Sequence, residues 1–126
     1  IAYQISIDDL NVGVPIYRLV ELLGNLIKNA IEALSNSTRH KALYIEIIEI
    51  EGVFKIEVRN KSEYIDYIEI EKFFKKGFSI KGNKRGLGLY NVKNICSEYS
   101  LTLYCDNKTI NNENWLSFII SNNHIN

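Results

Sequence analysis

Between residue 17 and about residue 34, apolar side chains (Leu19, Leu22, Leu23, Leu26, Ile27, Ala30 and Leu34) recur at the 3.6-residue spacing of an amphipathic helix. Pro15 stands just ahead of them, where its fixed φ suits a helix start. A stripe of that length must be buried against something, and the rest of the chain offers a sheet. Ile1, Tyr3, Ile5 and Ile7 alternate with Ala2, Gln4 and Ser6, the period of a strand. Residues 43–50 and 53–58 are alternating β-branched runs joined at Glu51 and Gly52, which predicts a hairpin. A second helix is expected from near Gly88 to about Tyr99, with Leu89, Val92 and Ile95 inward. Residues 101–105 and 115–120 read as two last strands around a polar, Asn-rich turn at 107–114. These segments predict an α/β two-layer sandwich, a mixed, mostly antiparallel sheet of about five strands with helices on one face.

Composition narrows the function classes. With 46% hydrophobic residues in 126, the chain can bury a core, and its single proline leaves no linker-like stretch, so one domain over residues 1–126 is expected. Fifteen basic residues balance fifteen acidic ones, which excludes a general attraction to nucleic acid or an anionic membrane. Any anion site must be local. No apolar run approaches the roughly 20 residues that span a bilayer, and no signal-peptide pattern opens the chain. The first residue is not Met, which agrees with a fragment of something longer. Cys96 and Cys105 lack a metal-ligand spacing and read as buried reduced thiols, as suits a cytosolic domain. Residues 59–85 read as a long, polar, partly ordered loop around one apolar island at 68–74, and loops of that length are usually functional.

Two places can carry chemistry. Glu21, Asn25 and Asn29 are four apart and share one face of the first helix. Asparagine is a poor helix former, so two of them in a Leu/Ile/Ala helix call for a reason. A carboxamide oxygen is a hard, neutral ligand that can hold Mg²⁺ together with nucleotide phosphates. A merely exposed polar stripe would have the same spacing, and the helix alone does not decide between them. The second place is Gly86, Leu87, Gly88 and Leu89, which open the second helix. Glycines there let backbone N–H groups approach phosphate, and the helix dipole favours an anion. Lys81, Lys84 and Arg85 add positive charge beside them. A structural turn would look alike. The chain lacks GxxxxGK[ST], and its glycines do not follow a first strand, so a P-loop and a Rossmann fingerprint are excluded. His40 and His124 read as ordinary surface histidines.

Taken together, the two places resemble a known family. Residues 21–33 (ELLGNLIKNAIEA) closely resemble the N box of histidine-kinase catalytic domains, which share the GHKL (Bergerat) fold with gyrase, mismatch-repair and heat-shock chaperone ATPases. Residues 73–78 resemble the F box, and residues 82–89 the G2 box that ends the ATP lid. A narrower resemblance is to the peptide-pheromone sensor kinases of Gram-positive bacteria, the accessory-gene-regulator type. Those domains similarly carry a GNLIxNAIEA helix, a stretch like residues 77–82, and RGLGLYNV, here residues 85–92.

The resemblance implies an ATP- and Mg²⁺-dependent kinase domain. By it, Asn29 would coordinate Mg²⁺, Asn25 would lie near the phosphates, and Glu21 would orient Mg²⁺-bound water or assist proton transfer. Lys81, Lys84, Arg85, Gly86, Leu87, Gly88 and Leu89 would surround the nucleotide. Phe73, Phe74 and Phe78 would either anchor the lid to the acceptor-bearing helices or fill the core beneath it, and Trp115 would be core. It further implies the cytoplasmic part of a membrane-anchored quorum sensor, with dimerisation and phosphoacceptor helices outside this chain and a response regulator downstream. No nucleic-acid partner is implied, and the isolated domain would be a monomer.

One departure stands out. Most family members carry Asp-x-Gly-x-Gly after the central strand, whose Asp accepts from the adenine amino group. Here the chain reads VRNKSE over residues 58–63, without a glycine, and Asn60 takes the Asp register. A neutral acceptor should hold the base less tightly, by about 1 kcal/mol. Two alternatives follow. An anti-sigma-type serine kinase would need the complete glycine box and a free-standing chain. A degenerate, non-catalytic module acting through protein contacts would tolerate its loss.

Overall fold

The computed structural model describes residues 2–6, 13–35, 41–75 and 88–123. In chain order the elements are β1 (Ala2–Ser6), α1 (Ile16–Ser35), β2 (Leu43–Ile50), β3 (Val53–Lys61), α2 (Tyr67–Lys72), α3 (Gly88–Glu98), β4 (Thr102–Ile110) and β5 (Glu113–Ser121). The strands form one sheet in the order β1-β2-β3-β5-β4. Among the described strands the β1–β2 pair is parallel and the other three pairs are antiparallel. The expected mixed, mostly antiparallel sheet is present.

Both hairpins close through two residues of positive φ, Glu51 (52°) with Gly52 (80°), and Asn111 (52°) with Asn112 (65°). Turns of this kind match the right-handed twist of the strands they join. The second hairpin corrects the sequence expectation. Only Asn111 and Asn112 turn, whereas Asn107 and Asn114 lie within strands, opposite Leu116 and Thr109. Polarity marked the whole tract as turn, but only two of its asparagines use the left-handed conformation that this residue tolerates. A second correction concerns residues 59–85. α2 overlaps the island at 68–74, with Ile70 in the helix and Phe73 at its C-cap buried at 4% and 2% exposure while Tyr67 and Ile68 face outward.

One face of the sheet carries the core. Phe54, Ile56 and Val58 of β3, with Leu116, Phe118 and Ile120 of β5, are buried in one cluster with Leu22, Leu26 and Ala30 of α1 and Leu89, Val92 and Ile95 of α3. Cys96 joins this cluster, and burial pushes its thiol up to about 11, while burial also raises Cys105. Both thiols are free, and neither has the lowered pKa of a reactive cysteine.

The opposite face has a different chemistry. The Arg59 guanidinium lies 3.9 Å from the Tyr44 ring centroid and 5.1 Å from that of Trp115, and Lys61 Nζ lies 5.8 Å from Trp115 on the same face. Trp115 is therefore not core, contrary to expectation, because its register directs it away from the helices. Glu57 is 1% exposed and accepts from Ser117 Oγ (2.7 Å) and Lys108 Nζ (3.1 Å), with Arg59 at 3.3 Å. Burial pushes the Glu57 carboxyl up, but the bonds from Ser117 and Lys108 and the field of Arg59 outweigh it, holding the group below its ordinary value. Among the described residues no helix is long and apolar enough to cross a membrane.

Candidate functional site

The buried stripe of α1 includes Leu22, Leu26 and Ala30, so Glu21, Asn25 and Asn29, each one residue earlier, run along its flank. This flank meets α3. A Cβ built on Gly88 would lie 3.5 Å from Asn25 Oδ1, so the first residue of α3 stands against Asn25 with no side chain between them. One turn on, Asn29 Nδ2 is buried without a hydrogen-bond partner among the described residues. Glu21 is more open and accepts from Arg18 (2.9 Å). Lys81, Lys84, Arg85, Gly86 and Leu87 lie outside the described residues. The side chain of Leu89 is buried in the core, which leaves its backbone as the part able to meet a ligand.

Asn60 occupies the helix-facing side of β3, in a cross-strand row with Leu43, Leu116 and Asn107. It is 2% exposed, and its two amide atoms differ. Nδ2 donates to the Lys61 carbonyl (3.1 Å), while Oδ1 is buried with no partner among the described residues. An unpaired buried acceptor costs about 1–3 kcal/mol, so its presence asks for a ligand donor. Flipping the amide would bring Oδ1 against the Lys61 carbonyl oxygen, so the orientation with the acceptor free is held.

The residues fit a magnesium nucleotide. The exocyclic amine of adenine would satisfy Asn60 Oδ1, and the amide oxygen of Asn29 is a suitable hard ligand. No cluster of three or more His, Cys, Asp or Glu side chains that could hold a metal ion is found among the described residues. A cavity of about 200 Å³ lined by Ile16, Val20, Leu23 and Phe54, among others, is wholly apolar and lies apart from these asparagines.

Three residues with partners distant in sequence were not singled out from sequence. Arg18 bonds Glu21 on its own helix and Glu98 at the end of α3 (3.1 Å). The i,i+3 spacing to Glu21 was readable; the partner 80 positions away was not. Asn107 Oδ1 accepts from Ile65 N (2.9 Å), and its Nδ2 donates to Ile65 O (2.8 Å). Asn114 Nδ2 donates to Ser62 O (3.2 Å) and to Asn107 Oδ1 (3.1 Å). Of the three phenylalanines, Phe73 and Phe74 pack on Phe118, with centroids 6.4 and 6.0 Å away. Phe78 lies outside the described residues.

Comparison with known proteins decides the family. A family model described as GHKL domain matches residues 15–121. The chain belongs to that family. Among curated proteins, the sensor protein CitS of Bacillus subtilis (strain 168) is 33% identical over 93 residues, covering 74% of this chain. The chain spans only 17% of the length of CitS. Among solved structures, the nucleotide-free catalytic domain of the histidine kinase ThkA superposes with a TM-score of 0.73 at 26% identity, covering 94% of this chain and 76% of that one. Full-length ShkA in complex with AMPPNP gives 0.71 at 14% identity, covering 95% of this chain and 25% of that one, which is a likeness of fold alone. This GHKL chain thus has the fold of histidine-kinase catalytic ATP-binding domains.

Proposed function

We propose that residues 1–126 form one domain, the catalytic ATP-binding domain of a sensor histidine kinase. The observation that carries this reading is the approach of Asn25 to Gly88, where an added Cβ would lie 3.5 Å from Asn25 Oδ1; it supports taking the asparagine helix and the glycine-led helix start as one nucleotide cradle. Asn60 Oδ1 would accept from the adenine amine, Asn25 and the Gly86–Gly88 backbone would face the phosphates, and Lys81, Lys84 and Arg85 would draw the triphosphate in. Mg²⁺, when bound, would neutralise phosphate charge, and Asn29 would hold it through its side-chain oxygen. Glu21 would orient a water on that ion.

In the transfer, a neutral histidine nitrogen outside this chain forms a bond to the γ-phosphorus as the bond to the ADP oxygen breaks. Catalysis then consists mostly of positioning and charge neutralisation. The phosphoryl group would pass on to an aspartate of a response regulator. We assign the domain to the cytoplasmic side of a membrane-anchored, peptide-sensing receptor, with the domain itself a monomer. A non-catalytic module is the second reading, favoured by the replacement of the glycine box around Asn60.

Calorimetric titration with a non-hydrolysable ATP analogue and Mg²⁺, beside Asn29→Ala, separates the two. The kinase reading expects a Kd of roughly tens of micromolar, weakened at least tenfold, about 1.4 kcal/mol, in the variant. Absence of binding at millimolar nucleotide by the folded protein would put the non-catalytic module first.

A further inference from the structure

Where the glycine box is missing, the chain from Asn60 to α2 must still cross the end of the sheet with its backbone groups satisfied. The asparagines of the second hairpin do this. Asn107 stands in the same helix-facing row as Asn60, two strands away, roughly 10 Å at the usual strand spacing. Its one amide pairs with both the N–H and the C=O of Ile65, as a neighbouring strand would. Asn114 holds Ser62 twice, its Nδ2 donating to Ser62 O and its backbone oxygen accepting from Ser62 N (3.0 Å). Because Asn114 Nδ2 also donates to Asn107 Oδ1, the two amides act as one clamp.

The clamp reaches Asn60 through a single residue. Ser62 follows Lys61, and the Lys61 carbonyl is the group that fixes which way the Asn60 amide faces. With Ser62 and Ile65 fastened, that carbonyl stays in place and Asn60 presents an acceptor. With the loop released, the amide is free to rotate and present its NH₂ instead. A purine bearing an amine at C6 needs the first state, and one bearing a carbonyl at C6 needs the second.

We propose that Asn107 and Asn114 are positioning residues for nucleobase selectivity, clamping residues 62–65 so that Asn60 offers only its acceptor. The proposal rests on the nucleotide reading above. Its test compares the binding of AMPPNP, GMPPNP and inorganic triphosphate, each with Mg²⁺, to the wild-type chain and to Asn107→Ala. We expect the wild type to prefer the adenine nucleotide, and the variant to lose at least threefold of that preference while its triphosphate affinity stays within twofold. A structural role alone would lower the melting temperature and weaken all three ligands together, leaving the preference intact. An unchanged preference in folded Asn107→Ala therefore overturns the proposal. Should that variant not melt cooperatively, Asn114→Ala, which removes the side-chain bond to Ser62 O and the link to Asn107 but keeps the backbone bond to Ser62 N and the Ile65 pair, takes its place: a threefold loss of preference supports the clamp and an unchanged preference overturns it. A wild type that binds none of the ligands removes the nucleotide reading and the clamp's role with it.

Discussion

Asn60 shows how much rests on one side chain. A carboxylate there would keep the acceptor but lose the donor to Lys61 O, and would set a charge against that carbonyl in a site with 2% exposure. Asn60→Asp should therefore destabilise the free protein by about 1–3 kcal/mol. It should also tighten adenine nucleotide by about 1 kcal/mol, roughly fivefold. Thermal melts and titration of one preparation check both signs, and a variant that melts as the wild type does would show that the Lys61 bond contributes little. The position of Asn60 could be read from sequence, because it continues the alternation of Phe54, Ile56 and Val58 along β3. Its unpaired oxygen could not, since that depends on where the next carbonyl points.

At the scale of elements, the two longer helices and the first hairpin were legible because their periodicities persist for many residues. α2 was not. Six residues are under two helical turns, and its buried Ile70 shows with the C-cap Phe73 only as an i,i+3 coincidence within a polar stretch. The second hairpin was misjudged in extent because its asparagines serve both turn and strand. The element that most directly links fold to binding is α3, set against α1 at its first residue through Asn25 and near its last through Arg18 and Glu98. Gly88→Ala probes the first contact. At 3.5 Å from Asn25 Oδ1 the new methyl makes an ordinary contact, and alanine favours helix by up to about 1 kcal/mol. Stability should hold or rise slightly, yet the methyl fills the gap between Asn25 and the helix start, and nucleotide affinity should fall tenfold or more, about 1.4 kcal/mol. Equal losses of melting temperature and affinity would instead make Gly88 a requirement of the fold.

For the whole molecule, the two-layer architecture followed from the segment pattern, while the contacts that finish the site did not. Asn107 reaches Ile65 across 42 positions, and Lys108 reaches Glu57 across 51. No local pattern encodes such pairs. The Glu57 cluster also gives the stability of the sheet a definite acid limit. Its folded pKa is depressed, so its contribution is fully present above the unfolded value near 4.3 and is lost as pH falls through the folded one. Denaturant midpoints measured from roughly pH 6 to 3 should fall more steeply in the wild type than in Glu57→Gln, which starts about 1–3 kcal/mol less stable. Parallel curves would assign the acid limit to other carboxyls.

That cluster has a practical corollary in spectroscopy. Trp115, the chain's single tryptophan, sits on the charged face beside Arg59 and Lys61, with the sheet between it and the asparagines. Its emission is thus a built-in gauge of the electrostatic side of the sheet. Acid loss of the Glu57 pairing should register in it, whereas a ligand filling the helical side should leave its emission unchanged.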